Sequence, residues 1–282
     1  MNRNNFVGKV CWITGASSGI GKALVKALSE QGALLVISAR NETNLANVKN
    51  ECADPSTICI VPCDLEDTER IPSITRSAWE AFGKIDYVFL NAGMAVRDTV
   101  INTDIRMIIK VMNTNFIGAA AIARNILPLM MSRGTGHFVV TSSLSGKYGI
   151  PKLSAYAASK HALHGYFESL RAEHAKNGIS VIMVIPGLIR TGISINALTG
   201  DGKPYGKMME SLATGMSSDE CARKILKGVL KGKNEVIVGK SEKLSLLLNR
   251  LFPSLMAWII RNHPLEKLRK LGLVKRDPLP NA

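Results

Sequence analysis

The chain has 282 residues, 46% of them hydrophobic, which is enough for one large α/β domain with a substantial core and excludes a disordered polypeptide. Its formal net charge is +14, from 36 Lys and Arg against 22 Asp and Glu. That balance suits a polyanionic ligand, an anionic surface or a solvated exterior, but no RRM-, KH- or zinc-finger-like pattern accompanies it, so nucleic acid is not an expected partner.

Met1 to Phe6 carry no apolar leader run, so the chain reads as cytoplasmic at that end. Val7 to Thr14 read as a buried parallel strand. Gly15-Ala16-Ser17-Ser18-Gly19-Ile20-Gly21 follow, and Lys22 to Gln31 read as a helix. Glycines between a strand and a helix let the backbone approach a pyrophosphate, which the helix N-terminus then receives. Ala33 to Ala39 read as the second strand, ending at Arg40 with no carboxylate. An Asp or Glu there would bind a ribose 2′-hydroxyl, whereas Arg40 suits a 2′-phosphate, so the expected cofactor is NADP(H), with Glu42 a competing partner for the guanidinium.

Leu45 to Ala53 read as a helix, Thr57 to Cys63 as a strand ended by Asp64-Leu65, and Thr68 to Phe82 as a helix. Ile85 to Leu90 read as a strand ended by Asn91-Ala92-Gly93. Asp104 to Phe116 and Ala119 to Met131 read as one long helix bent near Gly118. Gly136 to Thr141 read as a strand with Ser142-Ser143 at its end, Tyr156 to Lys176 as a helix, and Ile179 to Ile185 as a strand closed by Pro186-Gly187. Thr191 to Thr214 read as a mobile segment with a short helix from Lys207 to Leu212, Ser218 to Lys231 as a helix capped at Ser217 or Ser218, and Glu235 to Val238 as the seventh strand. Strands alternating with helices demand a doubly wound parallel sheet, here seven-stranded, in one domain over residues 1–240. In such sheets ligands bind beyond the carboxyl ends of the strands, where each polar residue singled out above falls.

Tyr156 and Lys160 stand one helical turn apart on one face. An ammonium beside a phenol favours the phenolate and lowers the tyrosine pKa from about 10, making an acid/base able to serve a carbonyl/alcohol pair. The five cysteines show no C-x-x-C pair and the five histidines no ligand cluster, so no metal is expected and the thiols read as reduced core residues.

Residues 241–282 form an apolar, basic tail. Arg250 and Pro253 interrupt its apolar run from Lys243 to Arg261, which is therefore too short to span a bilayer. Trp258 with the flanking Lys267, Arg269, Lys270, Lys275 and Arg276 suits an interfacial helix on anionic lipid; a lid over the substrate or a subunit contact is the alternative.

Thr14-Gly15-x-x-x-Gly19-x-Gly21, Asn91-Ala92-Gly93, Asn115, Ser143, Tyr156-x-x-x-Lys160 and Pro186-Gly187 together resemble the short-chain dehydrogenase/reductase family over about residues 7–240, and Ser142 to Lys147 with Ala155 to Arg171 resemble its 11β-hydroxysteroid dehydrogenase and member 7B-like branch. The resemblance implies a Rossmann-type fold and hydride transfer between NADP(H) and a hydrophobic ketone or secondary alcohol, steroid-like or lipid. An acyl-dihydroxyacetone-phosphate reductase and a non-catalytic NADPH-binding regulator are the alternatives. It also implies roles. Tyr156 is the general acid/base, Lys160 lowers its pKa and binds the nicotinamide ribose, Ser143 polarises the substrate oxygen, and Asn115 kinks the long helix and supports a relay water. Asp64 and Leu65 flank the adenine, Asn91 to Gly93 line the cleft, and Pro186, Gly187, Ile189 and Thr191 meet the nicotinamide end. A homodimer or homotetramer through the helices bearing Asn115 and Tyr156 is implied as well.

Overall fold

A computed structural model describes residues 6–239 and 242–262. Contacts divide the chain into two compact units, Met1–Lys240 and Ser241–Ala282.

The first unit opens with β1 (Val10–Thr14), α1 (Gly19–Ser29), β2 (Leu34–Ser38), α2 (Glu42–Asn50), β3 (Ile58–Ile60), α3 (Ile71–Glu80) and β4 (Tyr87–Leu90). A long broken helix follows: α4 (Ile105–Met112), a π-turn over Asn113–Ile117, and α5 (Gly118–Ser132). Then come β5 (Gly136–Thr141), a 3-10 turn (Leu144–Gly146), α6 (Ser154–His174), β6 (Ile179–Pro186), β7 (Ile189–Arg190), α7 (Glu210–Ala213), β8 (Met216–Ser217), α8 (Ser218–Leu230) and β9 (Glu235–Val238).

Seven strands pair in parallel in the order β3-β2-β1-β4-β5-β6-β9. The order reverses between β1 and β4, which makes the crevice at their carboxyl ends the topological switch point. Side chains alternate across the sheet into two apolar layers. Cys11 and Ile13 join Leu24, Leu28 and Ile225 on one face, while Val10 and Trp12 join Ile122, Phe138 and Phe167 on the other. Burial on both faces accounts for the nearly unbroken apolar strands.

The seven expected strands are all present, the first four with shorter ends. Val7 and Gly8 form a turn, Gly8 lying at φ +67°. The third strand ends at Ile60, and beyond it the N–H groups of Val61 and Cys63 still donate to the Ile37 and Ala39 carbonyls, with Pro62 facing away from β2. Asn41 caps α2 earlier than expected, its side chain accepting from the Asn44 N–H. The two-stranded parallel pair β7–β8 has no counterpart in the sequence reading. The run Ile105–Ser132 is long and apolar enough to cross a bilayer, but Ile122, Ala123 and Ile126 lie fully buried in the core layer and the π-turn breaks the helix. The π-turn around Asn115 interrupts the helix directly before Gly118, near where the bend was expected, and Gly118 itself packs tightly on Leu65.

The second unit contains α9 (Glu242–Leu251) and α10 (Pro253–Asn262), packed on each other and divided where Phe252-Pro253 interrupts the run. Leu244, Leu247, Leu251, Phe252, Leu255 and Trp258 are exposed and Met256 is buried. Lys267, Arg269, Lys270, Lys275 and Arg276 lie outside the described residues.

Candidate active site

The loop after β1 is built for close backbone approach. A Cβ on Gly21 would collide with the Gly15 carbonyl oxygen, and one on Gly15 would stand 2.7 Å from the Ala92 Cα. Gly15 and Gly19 adopt φ of +65° and +53°, which glycine tolerates best. A Cβ on Gly19 would meet the Thr191 methyl group at 3.3 Å. Thr14 latches this loop to the one after β4. Its Oγ1 donates to the Phe89 carbonyl at 3.3 Å and accepts from the N–H groups of Asn91 at 3.1 Å and Ala92 at 3.2 Å, while Asn91 Nδ2 donates to the Thr14 carbonyl at 3.3 Å. Ser18 precedes α1 in extended geometry and makes no side-chain cap bond, so it leaves the helix's opening N–H groups to an anion. Ser17 and Ile20 are half-buried on the same turn. A cleft of about 400 Å³ opens beside Gly19 and Thr191, with Lys22, Arg190 and Ser218 also lining it. Pro186 and Gly187 end β6, where the Gly187 N–H donates to the Val238 carbonyl at 2.7 Å, and Ile189 is buried in β7.

Arg40 stands exposed just beyond β2. Its nearest ionic partner is not Glu42 but Glu66, with Nη1 3.8 Å from Oε1. Glu66 is held from α4 and the π-turn. Lys110 Nζ donates to Oε2 at 2.9 Å and Thr114 Oγ1 to Oε1 at 3.3 Å. Asp64 is exposed and turns the loop by accepting the Glu66 N–H, while Leu65 is buried in the core beneath Gly118.

The remaining residues converge where β4, β5 and α6 meet. Asn115, buried in the π-turn, takes both backbone groups of Met94: Oδ1 accepts its N–H at 2.8 Å and Nδ2 donates to its carbonyl at 2.9 Å. Nδ2 also donates to Ser159 Oγ at 2.9 Å, tying the π-turn to α6. Lys160 is 3% exposed, and Nζ donates to the Thr141 carbonyl at 2.8 Å. Gly93 marks the junction, since a Cβ there would stand 3.4 Å from both Lys160 Nζ and Asn115 Oδ1. Ser143 Oγ accepts the Ser145 N–H at 3.1 Å and shares a hydrogen bond with the Tyr156 hydroxyl.

The structure changes the electrostatic reading of the Tyr–Lys pair. Lys160 Nζ lies 5.7 Å from the Tyr156 ring centroid, over its face. Burial pushes the Tyr156 phenol above its ordinary value and the Ser143 hydrogen bond pulls it part of the way back. Burial also lowers the Lys160 ammonium to about 8. Helical spacing does bring the two groups together, but desolvation outweighs the Coulomb attraction on which a lowered phenol depends. At neutral pH the phenol keeps its proton and is poised to give one away.

Sequence reasoning quoted Thr14 in the glycine motif without giving it a role, and it missed Glu66, Lys110, Ser159 and Thr141. Each works through a contact across at least 19 positions, which no local pattern carries. One turn beyond Lys160, buried His164 places Nδ1 3.0 Å from Glu168, and its ligand atoms with those of Glu168 and Glu235 fall within 4.8 Å. The sequence reading expected no such grouping. Lys147 already sits 2.6 Å from Glu235, supplying a cation to those carboxylates.

The family model described as short chain dehydrogenase matches residues 9–201. The chain belongs to the short-chain dehydrogenase/reductase family. It is 39% identical over 264 residues to a dehydrogenase/reductase SDR family protein 7-like of Drosophila melanogaster, covering 92% of this chain and 81% of that protein. It is likewise 39% identical over 261 residues to dehydrogenase/reductase SDR family member 7B of Danio rerio, covering 90% and 84%. Two solved structures share the fold. One is a short-chain dehydrogenase/reductase of Burkholderia phymatum in complex with NAD, with TM-score 0.74, 22% identity and full coverage of both chains. The other is levodione reductase, with TM-score 0.76, 24% identity and coverage of 84% and 98%. That family is one of oxidoreductases that bind a nicotinamide cofactor.

Proposed function

We propose that the chain is an NADP(H)-dependent oxidoreductase that interconverts a hydrophobic ketone and its secondary alcohol, steroid-like or lipid. The observation that carries this reading is Tyr156 hydrogen-bonded to Ser143, with the ammonium of buried Lys160 over its ring, at the crevice edge that also bears the glycine loop. The residues fit a dinucleotide: Gly15, Gly19 and Gly21 leave room no side chain could share, and α1 offers uncapped N–H groups. Gly15 to Gly21 would hold the pyrophosphate, with Asn91 to Gly93 and Pro186 to Thr191 along the nicotinamide half. Arg40, at the end of a strand with no carboxylate, favours a 2′-phosphate. When bound, the cofactor supplies the hydride. Tyr156 delivers the proton to the substrate oxygen while Ser143 orients that oxygen, and Lys160 and Ser143 stabilise the phenolate left behind. Asn115 fixes Met94 and Ser159, holding the loop after β4 against α6. A phenol that keeps its proton at neutral pH is in the form that a reduction consumes, although burial makes it a weaker acid until the Ser143 hydrogen bond and Lys160 offset that cost. An apolar substrate suits the small cluster of Val96, Val111 and Ala155 with Met94, Met107 and Leu198, and the exposed Leu188, Ile195 and Met208 on the segment after β6.

NADPH consumption with a panel of ketones, steroids and acyl-dihydroxyacetone phosphates tests the reading. Tyr156→Phe should lose about 10²–10⁴-fold in turnover while still binding NADPH. A Phe variant with near-native turnover refutes the acid/base role, and NADPH binding without consumption of any substrate favours a non-catalytic regulator. A preference for the phosphate-bearing members identifies the acyl-dihydroxyacetone-phosphate alternative.

The tail carries a second proposal, contact with an anionic membrane surface. Leu247, Leu251, Phe252, Leu255 and Trp258 are exposed on α9 and α10 beside Arg250 and Arg261, with no Asp or Glu between Lys243 and Asn262. Co-flotation of the full chain with anionic liposomes, lost on removal of residues 243–276, is the expected result; no flotation of the full chain ends this proposal. Subunit pairing through α4 and its π-turn is supported by exposed Ile105, Ile109 and Ile117, and a monomer at micromolar concentration would count against it.

A further inference from the structure

We propose that Glu66 is a specificity-determining counter-ion that holds the preference for NADP over NAD below what Arg40 alone would set. This rests on Arg40 as the ligand of a ribose 2′-phosphate. Three charges stand in a row across the adenosine end of the crevice: Arg40 after β2, Glu66 after β3, and Lys110 on α4. Glu66 Oε1 lies 3.8 Å from Arg40 Nη1, and Oε2 lies 2.9 Å from Lys110 Nζ.

The distances decide what Glu66 does. A carboxylate that preorganised Arg40 would grip its fork at hydrogen-bond range, bidentate. At 3.8 Å no such bond forms, and the Arg40 side chain stays 64% exposed and free to turn toward a ligand. What Glu66 does supply is negative charge beside the one cation after β2. A 2′-phosphate brings up to two more negative charges to the same guanidinium, so it meets both competition for Arg40 and repulsion from Glu66. A nucleotide with a free 2′-hydroxyl meets neither. Glu66 is itself anchored by Lys110 and Thr114, so it cannot swing away. Lys110 offsets part of its charge, and the penalty on the phosphate is a graded one, set by the Glu66–Lys110 pair.

Titration calorimetry of the full chain with 2′,5′-ADP and with 5′-AMP isolates the 2′-phosphate from the rest of the cofactor. Glu66→Gln keeps the side-chain shape and should tighten 2′,5′-ADP about three- to tenfold, the scale of a part-exposed ion pair acting on a dianion, with 5′-AMP little changed. Lys110→Gln should weaken 2′,5′-ADP, and in the Glu66→Gln background it should lose most of that effect. The gain from Glu66→Gln should shrink as salt rises. If Glu66→Gln fails to fold, Glu66→Asp, which draws the charge back by one methylene, should give a smaller gain in the same direction. An unchanged or lowered ratio of 2′,5′-ADP to 5′-AMP affinity in a folded Glu66 variant overturns the inference. Arg40→Gln separates the two levels: a collapsed ratio there with no gain from Glu66→Gln defeats only the role of Glu66, whereas an unchanged ratio defeats the Arg40 reading and with it this one.

Discussion

Lys160→Met should make the cofactor-free chain more stable at neutral pH while disabling it as an enzyme. Burial takes the Lys160 ammonium from its ordinary 10.5 to about 8. The folded chain therefore gives up this proton before the unfolded chain does. Between about pH 8 and 10.5 the unfolded state binds more protons, so stability rises with pH across that window. Below pH 8 both states are charged, and the folded one carries the full cost of a buried ammonium, about 3 kcal/mol at 1.36 kcal/mol per pH unit. Methionine fills a similar volume without charge. Losing the bond to the Thr141 carbonyl costs about 1 kcal/mol at every pH, which leaves a net gain of about 2 kcal/mol at pH 7. Because the native penalty on lysine fades with pH, that gain should shrink by about 2 kcal/mol between pH 7 and 9.5. Urea unfolding of both proteins at the two pH values measures it. A variant less stable than the parent at pH 7, or a difference that does not move with pH, would show that the ammonium is not desolvated and would remove the electrostatic account of the site.

Two further substitutions probe the scaffold. Asn115→Leu strips both backbone groups of Met94 and Ser159 Oγ of their partner, and with the N–H and carbonyl left buried it should cost about 2–4 kcal/mol in chemical denaturation; a loss under 1 kcal/mol would mean that water replaces the side chain. Gly21→Ala drives a methyl group into the Gly15 carbonyl oxygen, so NADPH affinity should fall at least tenfold by calorimetry, and near-native binding would show that the loop shifts freely.

Much of this arrangement is legible in the sequence because it is local. The strand–glycine–helix run at Val10 to Ser29, the Gly136–Thr141 and Glu235–Val238 strands, and the pairing of Tyr156 with Lys160 each follow from spacing within a dozen residues. What was not legible depends on tertiary burial or on distant partners. Asn113-Thr114-Asn115 carries no periodic signal for an inserted π-turn residue, yet that insertion turns Asn115 onto Met94. In the sequence the competing carboxylate near Arg40 is Glu42, but the chain folds Glu66 beside it from another strand's end. The direction of the Tyr156 shift failed for the same reason. Sequence supplies the sign of a neighbouring charge, whereas burial, the larger effect, exists only once the chain has folded.

Desolvation also links the two ends of the site. At the proposed catalytic end the fold buries a cation against a carbonyl, although water would be the better solvent for it. At the adenosine end it does the reverse: Arg40 stays in water, tethered only loosely to Glu66. A group that must be tuned before the substrate arrives needs a dry, rigid surround, because its pKa depends on permanent exclusion of solvent. A group that must recognise a mobile, highly charged phosphate needs to reorient and to exchange water for ligand, so exposure serves it better. The same sheet edge meets both demands because β5 and α6 close over one end while β2 and β3 stop short at the other. Lys160→Met should therefore shift stability with pH while leaving 2′,5′-ADP affinity unchanged, and Glu66→Gln should do the opposite. Cross-talk between those two readouts would show that the ends are not independent.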